Sequence, residues 1–584
     1  MDIFSILTLI GGLALFLFGM NYMGDNLKKL SGSQLESILG KLTSNRFKGF
    51  LLGFLVTAVI QSSSATTVML VGFVNSGIMT LAQTIGIIMG ANVGTTVTAW
   101  LLSTTGISGD VVWLKLLKPD SFTPVLAAIG ILMTMVAKSE KKRDVGAILL
   151  GFAILMFGME TMSGAMSGLK DNAAFAQILV MFENPVLGII SGTILTAIIQ
   201  SSSASVGILQ ALSLTGAIPM STALPVILGQ NIGTTITPIL SAINGNTDSK
   251  RVAISCLYIK LIGVIIISVA FYALHSVIGF EFMNGQASVF SIAVVHTMFN
   301  ILSTVILLPF CKFIEKLAIL TFKASETPVE DSLRVLDDRF LTMPGFALEK
   351  SKEIIAEMIK ITRESVHTVV DKLFDYDEKT DELVKSQEDS VDNYEDKLGS
   401  YLVRLAGHKL SAEEANEVTT LLHIIGDIER ISDHACNLFE AAKEIHDKKI
   451  TFSEQAQKEI SVVTKAIKEI VDLSVVSVEK EDKAYAMKIE PLEQVIDKLK
   501  FQMKNRHIER LQNNECTIEL GFVYSDIITN FERIADHCSN IGVSILQREE
   551  SGFEPHEYLS HVKYDGENDF ISQFDEYKQK YSIK

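Results

Sequence analysis

The sequence predicts an all-α protein in two parts: a polytopic membrane part built from two inverted repeats, then a cytoplasmic bundle of two three-helix halves. Three observations predict this architecture. Apolar runs long enough to cross a bilayer fill the first half of the chain. Charged sequence with helical periodicity fills the second half. Each half also contains an internal duplication.

Charge is distributed unevenly along the 584 residues. Up to residue 310 there are 15 Lys and Arg against 12 Asp and Glu, whereas the remainder has 36 against 55. A mean hydropathy of +0.32, with 48% hydrophobic residues, makes the chain too apolar for an ordinary soluble protein. The acidic second part argues against a nucleic-acid partner, because phosphate backbones bind basic patches. The five cysteines show no paired spacing, which indicates a reducing compartment.

The membrane part repeats itself with an offset of 139 residues. TAVIQSSSA at 57–65 returns as TAIIQSSSA at 196–204, and GANVGTTVT at 90–98 returns as GQNIGTTIT at 229–237. Each Gln-Ser-Ser-Ser lies between apolar runs too short to span a bilayer, which predicts a re-entrant hairpin with the serines at its tip. The glycines of the second motif favour a broken helix. Each repeat then crosses the membrane three times, and an odd number inverts the second repeat.

The predicted elements follow the duplication. Repeat 1 (1–138) has a spanning helix, a hairpin, a broken helix and a spanning helix at 3–23, 47–76, 82–103 and 121–137. Repeat 2 (139–285) has the same four at 145–166, 184–215, 222–243 and 252–275. Further along are an extra transmembrane helix (286–310), a linker (311–344), the helical domain (345–548) and a polar, loosely ordered tail (549–584).

Loop charge predicts the orientation, since loops rich in Lys and Arg stay in the cytoplasm. The rich loops are 24–48, 138–144 and 244–251, and the alternate loops 104–120, 167–183 and 276–287 are poorer. This pattern places the N-terminus outside the cell membrane and residues from 311 onward in the cytoplasm.

The two motifs supply hydroxyl and amide oxygens and freed backbone groups, but no formal charge. Oxygen ligands of this kind suit Na⁺, and the N-terminal N–H groups of a helix bind anions. Interrupted apolar segments in two related repeats are a good pointer to a secondary transporter's binding site. The residues alone therefore predict a cation-coupled carrier of a small polar or anionic solute. The alternative is that Ser and Thr only bond their own helix carbonyls and let helices pack closely.

The doubled Gln-Ser-Ser-Ser, each followed by Gly-x-Asn-[Val/Ile]-Gly-Thr-Thr, resembles the type II sodium–phosphate cotransporter family, bacterial branch. The resemblance covers about residues 1–310. It implies uptake of inorganic phosphate, which is not an enzymatic activity, with Na⁺ as the coupling ion and the lipid bilayer as the setting. A homo-oligomer is compatible with it. It implies a substrate and sodium site made of Gln61, Ser62, Ser63, Ser64, Thr66, Asn92, Thr95, Thr96, Gln200, Ser201, Ser202, Ser203, Ser205, Asn231, Thr234 and Thr235.

Three polar residues in apolar runs lie outside these motifs. Glu160, near a helix end, is predicted to be solvated or paired, with a coupling carboxylate as the alternative. Lys260 either snorkels to the membrane surface or supplies a counter-charge for phosphate. His296, with Asn300 one turn on, is predicted to form an interhelical hydrogen bond, and a proton relay is the alternative.

The acidic part contains the second duplication. DIERISDHACN at 427–437 matches NFERIADHCSN at 530–540, with an offset of 103 residues. A Glu, an Asp and an Asn recur at i, i+4 and i+8 on one helix face in each copy. Like charges at i, i+4 repel, so a doubled face of this kind suggests a bound cation. The alternative is a solvated acidic face stabilised by Arg430 and Arg533.

This face and the layout of two helical halves resemble the PhoU phosphate-regulatory domain over roughly residues 345–548. The resemblance implies a divalent or iron-type metal. Its ligands would be Glu429, Asp433, Glu532, Asp536, Asp392, Asp396, Glu493 and Asp497. The predicted function is a sodium-coupled inorganic phosphate symporter with a cytoplasmic regulatory domain. The alternative is a membrane-anchored phosphate sensor that signals through the PhoU-like domain.

Overall fold

The structure is a computed structural model. It describes residues 3–40, 45–106, 119–167, 177, 179–323, 332–513, 515–547 and 568–583. Across this described part the chain forms helices joined by turns, with one isolated bridge between Pro219 and Gln286, so the predicted all-α class is confirmed. Portions of the loops, linker and tail discussed above lie outside the described residues: 41–44, 107–118, 168–176, 324–331 and 548–567.

The chain divides into two compact units, Met1–Glu330 and Asp331–Lys584. This division falls inside the predicted linker, 311–344. The start of that linker forms the helix Cys311–Thr321, which buries Cys311, Ile314 and Ala318 within the first unit.

The helices of the first unit follow the predicted order. They are α1 (Ile3–Gly40), α2 (Arg46–Ile60), α3 (Ser63–Asn75), α4 (Leu81–Gly94), α5 (Thr96–Ser103), α6 (Pro119–Val136), α7 (Glu140–Met166), α8 (Pro185–Ile199), α9 (Ser202–Ser213), α10 (Met220–Gly233), α11 (Ile236–Ser241), α12 (Thr247–Ile278), α13 (Val289–Leu307) and α14 (Cys311–Thr321). Six described segments are long and apolar enough to cross a membrane: Ile3–Leu30, Leu81–Gly106, Glu140–Met166, Met220–Ser241, Thr247–Ile278 and Val289–Thr321. The hairpin arms α2, α3, α8 and α9 are shorter.

The first helices of the two repeats, α1 and α7, pack against each other through duplicated glycines. A Cβ on Gly19 would lie 2.3 Å from the backbone nitrogen of Leu155, and one on Gly158 would lie 2.3 Å from that of Phe16. Gly12 meets Met162 and Gly151 meets Met23, so the two helices run antiparallel. This is the relation that inverted repeats require. The inversion of the repeats as wholes stays a prediction.

Glycines also hold each hairpin against the broken helix of its own repeat. A Cβ on Gly90 would lie 1.9 Å from the carbonyl oxygen of Phe50, and one on Gly229 would lie 1.9 Å from that of Ile189. No side chain fits in either contact. Both residues stay helical, and the interruption falls one turn later, directly after Gly94 and Gly233, at Thr95 and at 234–235. The break therefore lies inside the motifs that predicted it.

The second unit contains two three-helix halves, as predicted. The first half is α15 (Pro344–Lys372), α16 (Glu378–Ala406) and α17 (Ala412–Asp447). The second half is α18 (Glu454–Lys480), the short α19 (Lys483–Ala486), α20 (Ile489–Gln512) and α21 (Ile518–Gln547). The duplicated helices α17 and α21 contact each other between the halves.

The end of the chain differs from the loosely ordered tail that the sequence predicted. Residues Asn568–Lys580 form a helix, α22, which packs on α20. Its last turn is fixed by Glu469, which accepts hydrogen bonds from Lys580 Nζ at 2.8 Å and from the Tyr581 hydroxyl.

Candidate functional site

The two hairpin tips have the same backbone geometry. Gln61 and Gln200 end the first arms with φ of 59° and 60°, in the left-handed region that residues other than glycine seldom adopt. The next residue, Ser62 or Ser201, is extended and caps the second arm by accepting the N–H of a residue three positions on at 3.2 Å. The chain therefore reverses at the predicted serines in both repeats.

Buried hydroxyls join the two arms of each hairpin. Thr57 Oγ1 donates to Thr66 Oγ1 at 3.0 Å, and Thr196 Oγ1 donates to Ser205 Oγ at 2.8 Å. Thr66 and Ser205 were predicted to bind substrate or sodium. The structure engages their hydroxyls in closing the hairpins.

The tips of the two hairpins lie together. Ser64 Oγ donates to the carbonyl oxygen of Gln200 at 3.4 Å. Ser203 Oγ donates to Thr98 Oγ1 at 3.4 Å, and Thr98 Oγ1 donates to Gln61 Oε1 at 2.7 Å. A continuous line of polar groups therefore links the second hairpin, the first broken helix and the first hairpin. Thr98 was not among the predicted site residues, although it closes the duplicated GTTVT motif.

A small cavity of about 10 Å³ lies between hairpin 1 and the second broken helix. Its lining includes residues of the predicted site (Ser63, Ser64, Thr234, Thr235) and residues outside it (Thr67, Pro238, Cys256). It also includes Lys260, which the sequence suggested as a counter-charge for phosphate. Lys260 is only 8% exposed, and its ammonium donates to Thr234 Oγ1. The snorkelling alternative was therefore wrong.

The hydroxyls of the Gly-Thr-Thr motifs donate to carbonyls of their own helices. Thr95 Oγ1 donates to Ala91 O at 3.0 Å, and Thr96, Thr234 and Thr235 form equivalent bonds of 2.7–2.8 Å. The hydroxyl hydrogens of these threonines therefore bond within their own helices, as the alternative interpretation predicted. Their oxygens keep lone pairs that can accept a hydrogen bond or coordinate a cation.

The two motif asparagines are both buried but differ in their bonding. Asn231 Nδ2 donates to Ile227 O at 2.9 Å. Asn92 Oδ1 is buried without a hydrogen-bond partner among the described residues. The predicted interhelical bond of His296 is likewise missing at Nδ1, which has no partner in the described part of the chain.

The acidic face of α17 concentrates negative charge. Burial raises the pKa of Glu429 to about 7, and the repulsion of Asp433 adds to the effect. The Arg430 side chain is 62% exposed, and its ion pairs are long: Nε lies 3.5 Å from Glu429 Oε2, and Nη1 lies 3.7 Å from Asp433 Oδ2. This face is therefore incompletely neutralised within the described structure.

The equivalent face of α21 contains its own cation. Lys500 Nζ lies 2.6 Å from Glu532 Oε1. Lys500 lies three residues after Asp497. The matching position in the first half, three residues after Asp396, is Gly399. Among the described residues no three carboxylate, imidazole or thiol groups converge as a metal-ligand set. Metal binding by the eight predicted ligands stays a prediction.

The histidines next to these faces join the two halves. His537 Nδ1 lies 2.9 Å from Asp427 Oδ1, and His434 Nδ1 lies 2.9 Å from Asn530 Oδ1. Their rings stack with centroids 5.7 Å apart. Both histidines thus connect the helices of the two halves. They were not among the predicted metal ligands.

Family models match both units of the chain. Residues 15–164 and 154–295 each match the Na⁺/Pi-cotransporter model, and residues 355–442 and 460–545 each match the PhoU domain model. The chain belongs to the Na⁺/Pi-cotransporter family and carries a PhoU domain. Both predicted resemblances are thereby confirmed, and this chain is a membrane protein of a phosphate-transport family.

Relatives share either the whole architecture or one part of it. A Salmonella typhimurium protein, YjbB, whose name proposes inorganic phosphate export, is 22% identical over 95% of this chain and 100% of its own length. The uncharacterised YqeW of Bacillus subtilis is 30% identical over 50% of this chain and 91% of its own. Rat sodium-dependent phosphate transport protein 2A is 31% identical over 19% of this chain and 20% of its own.

Proposed function

We propose that this protein is a sodium-coupled carrier of inorganic phosphate and that its solute site lies where the two hairpin tips meet the two broken helices. The observation that carries the proposal is the hydrogen-bonded line from Ser203 through Thr98 to Gln61. It brings the duplicated motifs of both repeats to one place. The family supports phosphate as the solute, and the name of the rat relative supports sodium as the coupling ion.

The chemistry at the tips suits an anion. Helices α3 and α9 both begin there, so their N-terminal N–H groups carry partial positive charge at the same place. Serine hydroxyls on the first turns add donors. A phosphate between the tips would accept from both repeats.

The chemistry of the broken helices suits sodium. The hydroxyls of Thr95 and Thr96 donate to helix carbonyls, and their oxygen lone pairs can coordinate a cation. Asn92 Oδ1 is a buried carbonyl oxygen without a described partner, which is costly unless a ligand uses it. Sodium bound here would lower the cost of bringing phosphate to the tips, so each ligand should raise the affinity for the other.

Coupling by itself does not fix the direction of flux. A symporter runs inward or outward according to the sum of the sodium, phosphate and electrical gradients. The export named for YjbB is compatible with this mechanism wherever internal phosphate is high enough to exceed the inward sodium drive. We therefore propose reversible coupled transport.

Proteoliposomes that contain the purified full chain test this function. We expect ³²P-phosphate flux to follow an imposed sodium gradient in either direction and to collapse when sodium is equal on both sides. A matched potassium gradient is the control. Sodium-dependent phosphate binding without any gradient-driven flux would instead favour the phosphate sensor.

A further inference from the structure

The cavity between hairpin 1 and the second broken helix contains a charge that the duplicated motifs do not supply. Lys260 lies in the middle of α12, is 8% exposed, and points its ammonium into this cavity. Its one hydrogen-bond acceptor in the described part of the chain is the neutral hydroxyl of Thr234.

No carboxylate of the described residues forms an ion pair with this ammonium. The acidic residue of the same helix, Asp248, lies in the first turn and binds Arg251 at 2.5 Å. A charged side chain within a membrane span is costly, and an uncompensated one is a candidate functional group. One hydroxyl replaces only a small part of the hydration that an ammonium loses.

The surroundings of Lys260 are suited to an anion. Ser63 and Ser64 open α3, and both line the cavity, so the positive end of a 13-residue helix is directed to the same space. Thr67 Oγ1, also in the lining, already donates to Ser63 O at 2.9 Å. The two sources of positive charge come from different repeats and meet at one cavity.

We propose that Lys260 is the fixed positive charge of the substrate site, where it binds a tetrahedral oxyanion together with the first turn of α3. This inference rests on the proposed function and names a binding residue for it. The cavity of about 10 Å³ admits one water-sized particle, which is too small for phosphate. Binding therefore separates hairpin 1 from α11, and the ammonium exchanges the Thr234 hydroxyl for a phosphate oxygen.

The test uses the full chain in detergent and measures ³²P-phosphate binding and the thermal unfolding midpoint. Lys260→Met removes the charge at similar length. Lys250→Met makes the same change in the first turn of the same helix and is the matched control. Lys260→Arg keeps the charge.

We expect Lys260→Met to raise the phosphate Kd at least 10-fold at fixed sodium, while Lys250→Met leaves it unchanged and Lys260→Arg stays closer to the parent protein. Without phosphate, Lys260→Met should also raise the unfolding midpoint, because a buried charge without a counter-ion is lost. A merely structural lysine would give the opposite midpoint shift.

Three results would overturn the proposal. The first is a phosphate Kd for Lys260→Met equal to that of the parent protein. The second is a lower unfolding midpoint for Lys260→Met that phosphate still raises as much as in the parent protein. The third is that Lys260→Met loses only the rise in midpoint caused by sodium. If Lys260→Met does not fold, Lys260→Gln takes its place under the same criteria. Failure of the parent protein to bind phosphate would count against the proposed function and not against the placement of the charge.

Discussion

Removing the glutamine side chain at each hairpin tip should have unequal effects on stability. Gln61 is buried, accepts from Thr98 Oγ1 at 2.7 Å, and donates through Nε2 to Ala58 O. Gln200 has the same left-handed backbone, but its side chain is exposed. Gln61→Ala and Gln200→Ala therefore form a matched pair in which the backbone strain is equal and only the side-chain bonding differs.

The magnitude follows from the contacts. Gln61→Ala leaves the buried Thr98 hydroxyl without its acceptor, which costs about 1–3 kcal/mol. Gln200→Ala removes an exposed side chain, and such changes usually stay within about 0.5 kcal/mol. Since alanine replaces glutamine at nearly the same φ in both, the strain cancels in the comparison.

The assay is thermal unfolding of the purified full chain in detergent without sodium or phosphate. We expect a midpoint several degrees lower for Gln61→Ala and almost no change for Gln200→Ala. Gln61→Gly should recover part of the loss relative to Gln61→Ala, because glycine relieves a left-handed conformation that costs other residues about 1–2 kcal/mol. Equal midpoints for the two alanine variants would refute the role assigned to the bond between Gln61 and Thr98.

Further predictions concern the soluble unit and the topology. Glu459 is 1% exposed and accepts two N–H bonds of 3.0 Å from a buried arginine, so Glu459→Gln should cost about 3–5 kcal/mol in urea denaturation of residues 331–584. For Glu429, a folded-state pKa of about 7 against an ordinary 4.5 means that stability falls as pH rises from 4.5 through 7. Glu429→Gln should accordingly stabilise at pH 8 by about 1 kcal/mol after discounting for solvent, with little effect at pH 4, and a divalent cation bound to the parent protein would shrink that gain. Asn244→Cys should resist impermeant thiol reagents in intact cells while Asn284→Cys is labelled, and the reverse pattern would contradict the predicted orientation. Deleting 331–584 should leave phosphate flux intact with altered inhibition by internal phosphate, and unchanged kinetics in a well-folded truncated carrier would exclude regulation by this unit.

Local sequence was sufficient to predict most helices of the membrane unit. Apolar runs bounded by polar motifs placed the hairpins at 47–76 and 184–215, close to the observed arms, because hydrophobic length and turn position are both local properties. The first helix was predicted to end at residue 23 but continues to Gly40. Its last turns are polar, so hydropathy gave no sign that they remain helical.

Tertiary contacts could not be predicted in the same way. The motif glycines predicted a break in the helix, yet Gly90 and Gly229 serve close helix packing, which depends on the partner backbone. Thr98 and Lys260 enter the site only because hairpins and broken helices of different repeats meet. Lys500 belongs to no motif, and its ion pair with Glu532 results from the packing of two helices within one half.

Differences between equivalent positions indicate where the two copies have different roles. Thr98 bonds to Gln61, whereas its counterpart Thr237 has no described hydrogen-bond partner at its buried hydroxyl. The second broken helix instead receives the ammonium of Lys260 on Thr234. The two copies thus carry different chemistry: neutral hydrogen bonding at one broken helix and a fixed cation at the other. In the proposed site the lysine would attract the anion at one end, and the uncharged oxygens at the other end would be available to the sodium ion.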